Sequence, residues 1–342
     1  MGIEHSVTAG GATGSLAAES LLRPIGRSGI TTSPLTLGAA VFGWTVPNGR
    51  AKDLLDRYTA VGGTMVDTAD SYASGMSEQI IGSWMRERKN RDQIVLATKV
   101  GRHPDNEGLS GRNIRAAVDA SLERLQTDCI DLLYFHADDV ATPLEESLAA
   151  VGELIDAGKV RALGASNFSA GRLLEARVLS SAGLPRVEAT ALEYSLMRRD
   201  IVEGDVAMTC QAQGISIMPY FVLANGYLGR LRNIKEAKPG DTRGRRAASH
   251  SGRHGASILR LLDDVAMAHG VEASTVAVAW ALQRPGVGAV TIGPESVTEL
   301  DALMHAPSIR LTRQQIADLD RVSAPPQRTW TQSLRTAVPR KK

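Results

Sequence analysis

Cysteine is scarce in this chain of 342 residues, which contains only Cys129 and Cys210. Two cysteines give no disulfide framework, and we expect a protein of the reducing cytoplasm. Long apolar runs are also lacking. None approaches the ~18 uninterrupted apolar residues of a membrane-spanning helix, so no membrane partner is expected. Residues 1–20 lack the basic start and the apolar core of a signal peptide and are expected to be flexible.

An excess of charge of either sign is missing as well. Lysine and arginine together number 39, against 37 aspartates and glutamates, for a formal net charge of +2. This balance argues against a nucleic-acid partner. The arginine-rich stretch 243–246 lacks interleaved aromatic residues and is interpreted as a solvated loop. His250 and His254 have the spacing of helical metal ligands, but their polar surroundings with Gly252 argue against a metal site.

The residues that are abundant predict an α/β fold. Hydrophobic residues make up 43% of the chain, enough for a large core. From residue 34 onward, short apolar runs alternate with amphipathic segments, a pattern typical of parallel strands joined by helices. The candidate strands are 35–37, 64–67, 94–99, 130–136, 160–166, 187–192, 215–219 and 287–292. The candidate helices are 50–61, 77–87, 110–125, 144–157, 170–180, 200–213, 275–283 and 297–304. Eight strand–helix units predict a (β/α)8 TIM barrel.

Three segments lie outside these eight units. Residues 22–32 enclose the turn sequence GRSG and are expected to form a β-hairpin before the first barrel strand. Residues 228–255 form a long connection after the seventh strand, on the catalytic face, and an extra helix is expected at 256–269. We therefore predict a flexible N-terminus at 1–20, one barrel domain at 21–325 and a C-terminal tail at 326–342.

Four residues with acid–base chemistry stand at or just beyond the ends of predicted strands: Asp67, Tyr72, Lys99 and His136. In a parallel barrel these ends form the catalytic face. Taken singly, each residue has an ordinary structural explanation, but together they indicate a proton-donating site. Tyr72 would protonate the alkoxide formed when a carbonyl accepts hydride, and the Lys99 ammonium would lower its pKa from ~10. Asp67 would pair with Lys99, and His136 would hydrogen-bond the substrate carbonyl.

Long motifs surround these four residues. They read VDTADSYASGMSE at 66–78, ATKV at 97–100, DLLYFH at 131–136, TPLEE at 142–146 and GKVRALGASNF at 158–168. Through these motifs the chain resembles the aldo-keto reductases, and it is most similar to members of bacterial type. The resemblance covers roughly residues 22–321. The resemblance implies an NADP-dependent oxidoreductase that reduces an aldehyde or ketone to an alcohol, or catalyses the reverse. It also implies that the hairpin plugs the N-terminal end of the barrel.

The resemblance assigns roles to individual residues. The family's catalytic tetrad falls on the four residues named above, with Tyr72 as the general acid and base. The cofactor residues that it implies are Ser166 and Asn167 for the nicotinamide carboxamide, Tyr220 for stacking on the ring, and Gly293, Glu295 and Glu299 for the adenosine 2′-phosphate and adenine.

The chain departs from the family pattern within this cofactor site. Ala191 stands where the family usually has Gln, and Glu295 stands where Thr or Arg is common. Glu299 and Leu303 replace a frequent Gln and Asn. A carboxylate is unfavourable beside a phosphate but can accept a hydrogen bond from a ribose hydroxyl. NADPH is therefore the expected cofactor, and NADH stays open. Arginines of the long connection, such as Arg230 or Arg232, are the candidates to offset Glu295.

Two functions of different classes remain open. The first is an NAD(P)-dependent enzyme acting on a small-molecule carbonyl, as a monomer or a homo-oligomer. The second is a cofactor-binding regulatory subunit with little turnover, like family members that serve as cytoplasmic subunits of membrane channels. Sugar-like, keto-steroid and other natural-product carbonyls are all possible substrates. The expected substrate contacts are Phe42 and Trp44 as an apolar wall, Arg102, His103 and Asp105 as readers of hydroxyl groups, and Trp330 near the C-terminus.

Overall fold

The computed structural model describes residues 22–232, 234 and 240–325. The predicted N-terminal segment 1–20, the C-terminal tail 326–342 and Trp330 lie outside these residues. The described chain begins with a two-stranded hairpin, β1 (Arg23–Pro24) and β2 (Thr31–Thr32). An eight-stranded parallel sheet follows. Its strands are β3 (Leu35–Gly38), β4 (Met65–Asp67), β5 (Val95–Val100), β6 (Ile130–Phe135), β7 (Val160–Ser166), β8 (Val187–Glu193), β9 (Ser216–Tyr220) and β10 (Val290–Ile292).

The sheet closes into a barrel. Strands β3 to β9 pair in chain order, and β10 pairs with β3 on the other side. The ring closes between β9 and β10 through a bridge from Ile217 to Val287, three residues before β10 begins. The predicted (β/α)8 barrel is therefore confirmed, although its last strand is shorter than the predicted 287–292.

Helices separate the strands and cover the outside of the barrel. In the part of the chain that the structure describes, they are α1 (Asn48–Ala60), α2 (Met76–Arg88), α3 (Gly111–Leu125), α4 (Leu144–Asp156), α5 (Ala170–Ser181), α6 (Asp205–Gln213), α7 (Thr242–Ala248), α8 (Arg253–His269), α9 (Ala273–Leu282), α10 (Val297–Met304) and α11 (Arg313–Val322). Local sequence explains several of their starts. Ser110, for example, caps α3 by accepting a hydrogen bond from the backbone N–H of Asn113.

Three helices differ from the sequence-based prediction. Helix α6 begins at Asp205 rather than at 200, because Gly204 adopts a φ of 108°, which a helix cannot continue through. The stretch interpreted as a solvated loop at 243–246 belongs to helix α7, whose Gly244 and Ala247 are buried. Helix α11 was not predicted. It lies beyond the eight units and begins with a capping box between Thr312 and Gln315.

The barrel interior and the layer between strands and helices form two separate hydrophobic cores. The interior core is narrow and rich in alanine, and the large side chains that the barrel strands contribute to it are Met65, Leu132, Tyr134 and Met218. Tyr134 fits inside only because its neighbour is Gly164. A Cβ there would lie 2.4 Å from the Tyr134 ring.

The hairpin closes the N-terminal end of the barrel, as expected. Ile25 and Ile30 are buried and belong to the interior core. The turn between them is attached to the strands above it. Gly26 N donates to Ser216 Oγ at 2.8 Å, and Arg27 N donates to Glu188 Oε2 at 2.7 Å. The opposite, C-terminal end of the barrel therefore carries the open face.

Two features of the described residues bear on partners. No single helix is long and apolar enough to cross a membrane, and only α8 and α9 taken together, with a bend of 93° between them, pass by length and composition. Within the same residues, no three His, Cys, Asp or Glu side chains converge as metal ligands would.

Candidate active site

The four predicted tetrad residues meet at the C-terminal face of the barrel. Asp67 is the last residue of β4, Lys99 lies near the end of β5, and His136 follows β6 directly. Tyr72 lies in the single helical turn Tyr72–Gly75 between β4 and α2. The turn is tightly shaped, because Ala73 and Ser74 adopt left-handed φ values of 47° and 54°.

Lys99 is the centre of this group. Its Nζ donates to Asp67 Oδ2 at 2.6 Å and to the carbonyl oxygen of Thr68 at 2.8 Å. The same Nζ lies 5.1 Å from the centroid of the Tyr72 ring. Burial by itself would lower the pKa of Lys99, but the Asp67 carboxylate and the Tyr72 phenol outweigh it and the pKa is raised. Lys99 is therefore a buried cation at neutral pH.

Tyr72 departs from expectation in the direction of its pKa. The Lys99 charge does act to lower that pKa, but burial raises it more and the neighbouring Asp67 adds to the rise. The net pKa of Tyr72 lies above its usual value, so the phenol carries its proton at neutral pH. The arrangement therefore presents a proton donor rather than a preformed phenolate.

His136 is a neutral imidazole in this setting. Burial lowers its pKa to about 3, and the nearby positive charges of Lys99 and Arg102 act in the same direction. Its ring meets Tyr72 edge-on, with the ring centroids 5.7 Å apart. Its Nδ1 lies 3.4 Å from Ser71 Oγ. A neutral imidazole has one donor and one acceptor nitrogen, so it can hydrogen-bond a substrate oxygen without carrying charge.

Three of the predicted cofactor residues form one connected group beside this site. Asn167 follows β7 and donates through Nδ2 to Ser166 Oγ at 2.9 Å. It also accepts at Oδ1 from the Tyr220 hydroxyl at 2.7 Å. Ser166 Oγ in turn donates to the carbonyl oxygen of Ala191 at 3.1 Å. Ala191, which stands where the family usually has Gln, contributes this backbone carbonyl but no side-chain amide.

The other three predicted cofactor residues lie where β10 leads into α10: Gly293 and Glu295 in the connecting loop, and Glu299 in the first turn of the helix. Glu295 accepts hydrogen bonds from the guanidinium groups of Arg230 and Arg243. Glu299 accepts one from the backbone N–H of Glu295 at 3.0 Å. Gly293 is exposed at the start of this loop. Burial would raise the pKa of Glu295, but the two arginines outweigh it and the pKa is lowered, so the carboxylate is ionised.

The structure shows which arginines neutralise the negative charge of Glu295. Arg230 pairs with it as expected, whereas Arg232 pairs with Asp263 of α8. Arg243, which sequence reasoning assigned to a solvated stretch, is the second partner of Glu295. The several arginines around Arg243 in the sequence indicate an anion-binding surface, but only the folded chain shows that the anion is the Glu295 carboxylate.

The predicted apolar wall is present only in part. Phe42 is fully buried in the outer core and cannot line a pocket. Trp44 is 62% exposed. Its loop packs against the start of α2 and the turn that carries Tyr72, since a Cβ at Gly43 would lie 2.6 Å from Met76 Cγ and 3.4 Å from Ala73 Cβ. Trp44 and the exposed Met76 therefore stand at the rim of the site.

Comparison with known proteins agrees with this geometry. The aldo/keto reductase family matches residues 34–324. Norsolorinic acid reductase B of Aspergillus parasiticus is 33% identical over 307 residues, covering 84% of this chain and 80% of the relative. An aryl-alcohol dehydrogenase, GME11368, of Pestalotiopsis microspora is 32% identical over 312 residues, covering 85% and 79%. The aldo-keto reductase ausK of Aspergillus calidoustus is 33% identical over 317 residues, covering 86% and 80%.

These relatives are fungal, whereas a member of bacterial type was expected; the family itself is the one that the motifs indicated. The match spans most of the chain and includes every barrel strand. The chain therefore belongs to the aldo/keto reductase family and is an NAD(P)-dependent oxidoreductase.

Proposed function

We propose that the protein reduces an aldehyde or ketone to an alcohol, or catalyses the reverse, with Tyr72 as the general acid and base. The contact that carries the proposal is the buried Lys99 ammonium, bonded to Asp67 and set beside the Tyr72 ring. Carbonyl reduction creates an alkoxide, which needs both a proton and positive charge nearby. Tyr72 supplies the proton and Lys99 supplies the charge.

The pKa directions fit reduction at neutral pH. Tyr72 keeps its proton there, so it is ready to donate to an alkoxide, which is a much stronger base than a phenolate. The tyrosinate that remains is stabilised by Lys99. Oxidation of an alcohol would need that tyrosinate beforehand. We therefore expect the oxidative direction to gain rate as the pH rises.

The residues at the face of the barrel fit a nicotinamide dinucleotide. When bound, the cofactor supplies or accepts hydride. The exposed Asn167 and the buried Ser166 offer amide and hydroxyl groups to a carboxamide, and the half-buried Tyr220 offers an aromatic face. The start of α10 offers backbone N–H groups and the positive end of a helix dipole to a phosphate. Glu295, in the loop before α10, and Glu299, in the first turn of α10, would lie beside the adenosine end.

NADPH is the cofactor that we propose, with NADH as the alternative. Glu295 alone would repel a 2′-phosphate, but Arg230 and Arg243 neutralise it and hold two cations at this position. A bound 2′-phosphate would then replace the Glu295 carboxylate as the anion that these two guanidinium groups hold. Arginine favours this bidentate geometry with phosphate. We expect Arg243→Gln to raise the KM for NADPH more than that for NADH. Arg245→Gln, on the exposed side of α7, is the control. Equal or better use of NADH by the unaltered protein would refute the preference.

The substrate class that we propose is an aryl carbonyl compound. Two of the relatives are named norsolorinic acid reductase and aryl-alcohol dehydrogenase. The exposed Trp44 and Met76 at the rim suit a flat apolar ring. Arg102 follows β5, and its charge reaches both Tyr72 and His136. It is the candidate contact for hydroxyl or acidic groups on such a ring.

The decisive experiment combines a substrate panel with a tyrosine variant. Oxidation of NADPH and NADH is followed with aryl aldehydes, aryl ketones and aldoses. We expect Tyr72→Phe to lower kcat by about 100-fold or more, the scale of a lost general acid, while nucleotide binding is retained. Tyr227→Phe is the matched control, because its hydroxyl makes no hydrogen bond within the described residues.

Two results would contradict the proposal. Retained turnover by Tyr72→Phe would exclude Tyr72 as the proton donor. Tight nucleotide binding without turnover of any panel member would favour the regulatory subunit instead.

A further inference from the structure

We propose that Ser71 is a positioning residue that fixes the proton of His136 on Nε2. Ser71 Oγ lies 3.4 Å from His136 Nδ1, and within the described residues this hydroxyl makes no other hydrogen bond. The catalytic consequence rests on the proposed function. The position of the imidazole proton does not, so it can be tested separately.

The neutrality of His136 makes the position of its one proton important. The side chain is 8% exposed, and Lys99 and Arg102 place positive charge nearby. An added proton is therefore opposed by both burial and charge, and the ring stays neutral over the range in which enzymes work. Which nitrogen donates and which accepts is then set by the partner of each nitrogen.

The two possible tautomers have opposite consequences for the site. With the proton on Nδ1, the ring would donate to Ser71 Oγ, and Nε2 would meet a substrate oxygen with a lone pair. With the proton on Nε2, the Ser71 hydroxyl donates to Nδ1, and Nε2–H can donate to the same carbonyl oxygen that faces Tyr72. Only the second arrangement gives a developing alkoxide two hydrogen-bond donors.

The hydroxyl of Ser71 favours the second arrangement. Within the described residues, the one hydrogen bond of Ser71 Oγ is with Nδ1, so the hydroxyl proton has an acceptor there only when Nδ1 is unprotonated. Donating to it satisfies the hydroxyl and leaves no competing acceptor on that side of the ring. The geometry is held by the backbone: Asp70 N donates to the Lys99 carbonyl at 3.0 Å, and Tyr72 N donates to the Ala69 carbonyl at 3.2 Å.

One turn of chain therefore serves two functions. Ser71 and Tyr72 are neighbours in sequence, and they approach His136 from adjacent positions. The phenol donates to the substrate, and the hydroxyl orients the ring that makes the second hydrogen bond.

The test uses Ser71→Ala, Ser71→Thr and the control Ser74→Ala, an exposed serine of the same turn. Ser71 has φ and ψ of −85° and −11°, which alanine adopts without strain. Protein labelled with 15N in histidine is examined by two-bond 1H–15N correlation, which shows which ring nitrogen carries the proton. His136→Gln identifies the signals of His136 among the seven histidines. Spectra are recorded without nucleotide and with NADPH.

The expected spectrum of the unaltered protein, of Ser71→Thr and of Ser74→Ala shows the proton on Nε2. Ser71→Ala is expected to show both tautomers in exchange. With an aryl ketone, kcat should fall about 3- to 10-fold in Ser71→Ala, the scale of one hydrogen bond, with little change in KM. Ser71→Thr restores the hydroxyl and is expected to restore kcat.

A proton on Nδ1 in the unaltered protein, or an unchanged His136 spectrum in Ser71→Ala, would overturn the inference even if the enzyme is active. If the spectrum responds as expected but no carbonyl compound is turned over, the proposed function fails and the positioning role stands.

Discussion

The ion pair between Lys99 and Asp67 is buried, so removing its cation should cost more of the free energy of unfolding than removing the cation of an exposed pair. The pair joins Nζ to Oδ2 at 2.6 Å, and the side chains of Lys99 and Asp67 are 4% and 12% exposed. Lys99→Met keeps the length and volume of the side chain but leaves the Asp67 carboxylate buried without its cation. Breaking one side of such a pair costs about 3–5 kcal/mol of the free energy of unfolding.

A matched control exists on the surface of the barrel. Lys52 Nζ and Glu87 Oε1 are also 2.6 Å apart, but these side chains are 19% and 42% exposed. Lys52→Met should cost only about 0–1 kcal/mol, because water solvates the carboxylate that remains. The two substitutions are chemically identical, so the difference between them isolates the effect of burial.

The pH dependence gives a second, independent check. Burial raises the pKa of Asp67 above its usual value, and Lys99 opposes that rise. Without Lys99 the pKa of the folded carboxyl rises further, so the folded variant takes up a proton more readily than the unfolded chain. Lowering the pH towards this raised pKa should therefore shrink the cost of Lys99→Met. Asp67→Asn added to Lys99→Met should recover part of the loss at neutral pH.

Urea unfolding followed by the fluorescence of the buried Trp84 and Trp280 measures these effects as midpoints at equal slope. The reasoning would be refuted by a Lys99→Met cost no larger than that of Lys52→Met, or by a cost that does not change with pH.

Three further results are expected. The pKa of His136 is lowered from 6.5 to about 3, so below pH 6.5 the unfolded chain binds a proton at this residue and the folded chain does not. As the pH falls from 7 to 5 in urea titrations, His136→Gln should therefore lose less stability than the unaltered protein. Asp70 acts in the opposite sense, because its buried carboxyl has a pKa raised from 3.8 to about 6 and the folded chain takes up its proton first. The unaltered protein should therefore gain stability as the pH falls from 6 to 4, and Asp70→Asn should lack this gain. Gly82→Ala should cost about 1–3 kcal/mol by thermal or urea unfolding, because its Cβ would lie 2.5 Å from the Arg124 carbonyl oxygen. Gly152→Ala on α4, whose Cβ would be 3.5 Å from Pro185, should be tolerated.

The barrel could be predicted from sequence because its signals are local. Runs such as 130–136 are apolar and short, and they match the strand Ile130–Phe135 to within one residue. Where a tertiary contact decides the structure, prediction failed. The predicted last strand 287–292 is divided between two neighbours: Val287 bridges Ile217 of β9, 70 positions away in the chain, whereas Val290–Ile292 pair with β3. The start of α11 does carry a local signal, the capping box formed by Thr312 and Gln315.

The site shows the same division. The strand ends predicted that Asp67, Tyr72, Lys99 and His136 lie close together, and the structure places them so, because strand order determines which ends are neighbours. The net pKa direction of Tyr72 was not predictable, since it depends on burial that only the folded chain produces. The two guanidinium groups on Glu295 come from positions 65 and 52 residues away, a distance that no local pattern spans.

The way the barrel closes has a consequence for its motion. Ile217 makes two hydrogen bonds across the junction, receiving one from Gly288 N and donating one to the Gly286 carbonyl, both at 2.9 Å. Every other junction contains at least three consecutive paired residues, even where a register shift interrupts the pairing of β7 with β8. The ring therefore has one weak seam, and opening there should dominate amide hydrogen exchange in β9 and β10. Arg230 and Arg243 lie after β9 in the chain, and Glu295 follows β10. Their ion pairs therefore connect the two sides of this seam. We therefore expect loss of these ion pairs to speed amide hydrogen exchange in β9 and β10, the two strands between which the ring closes.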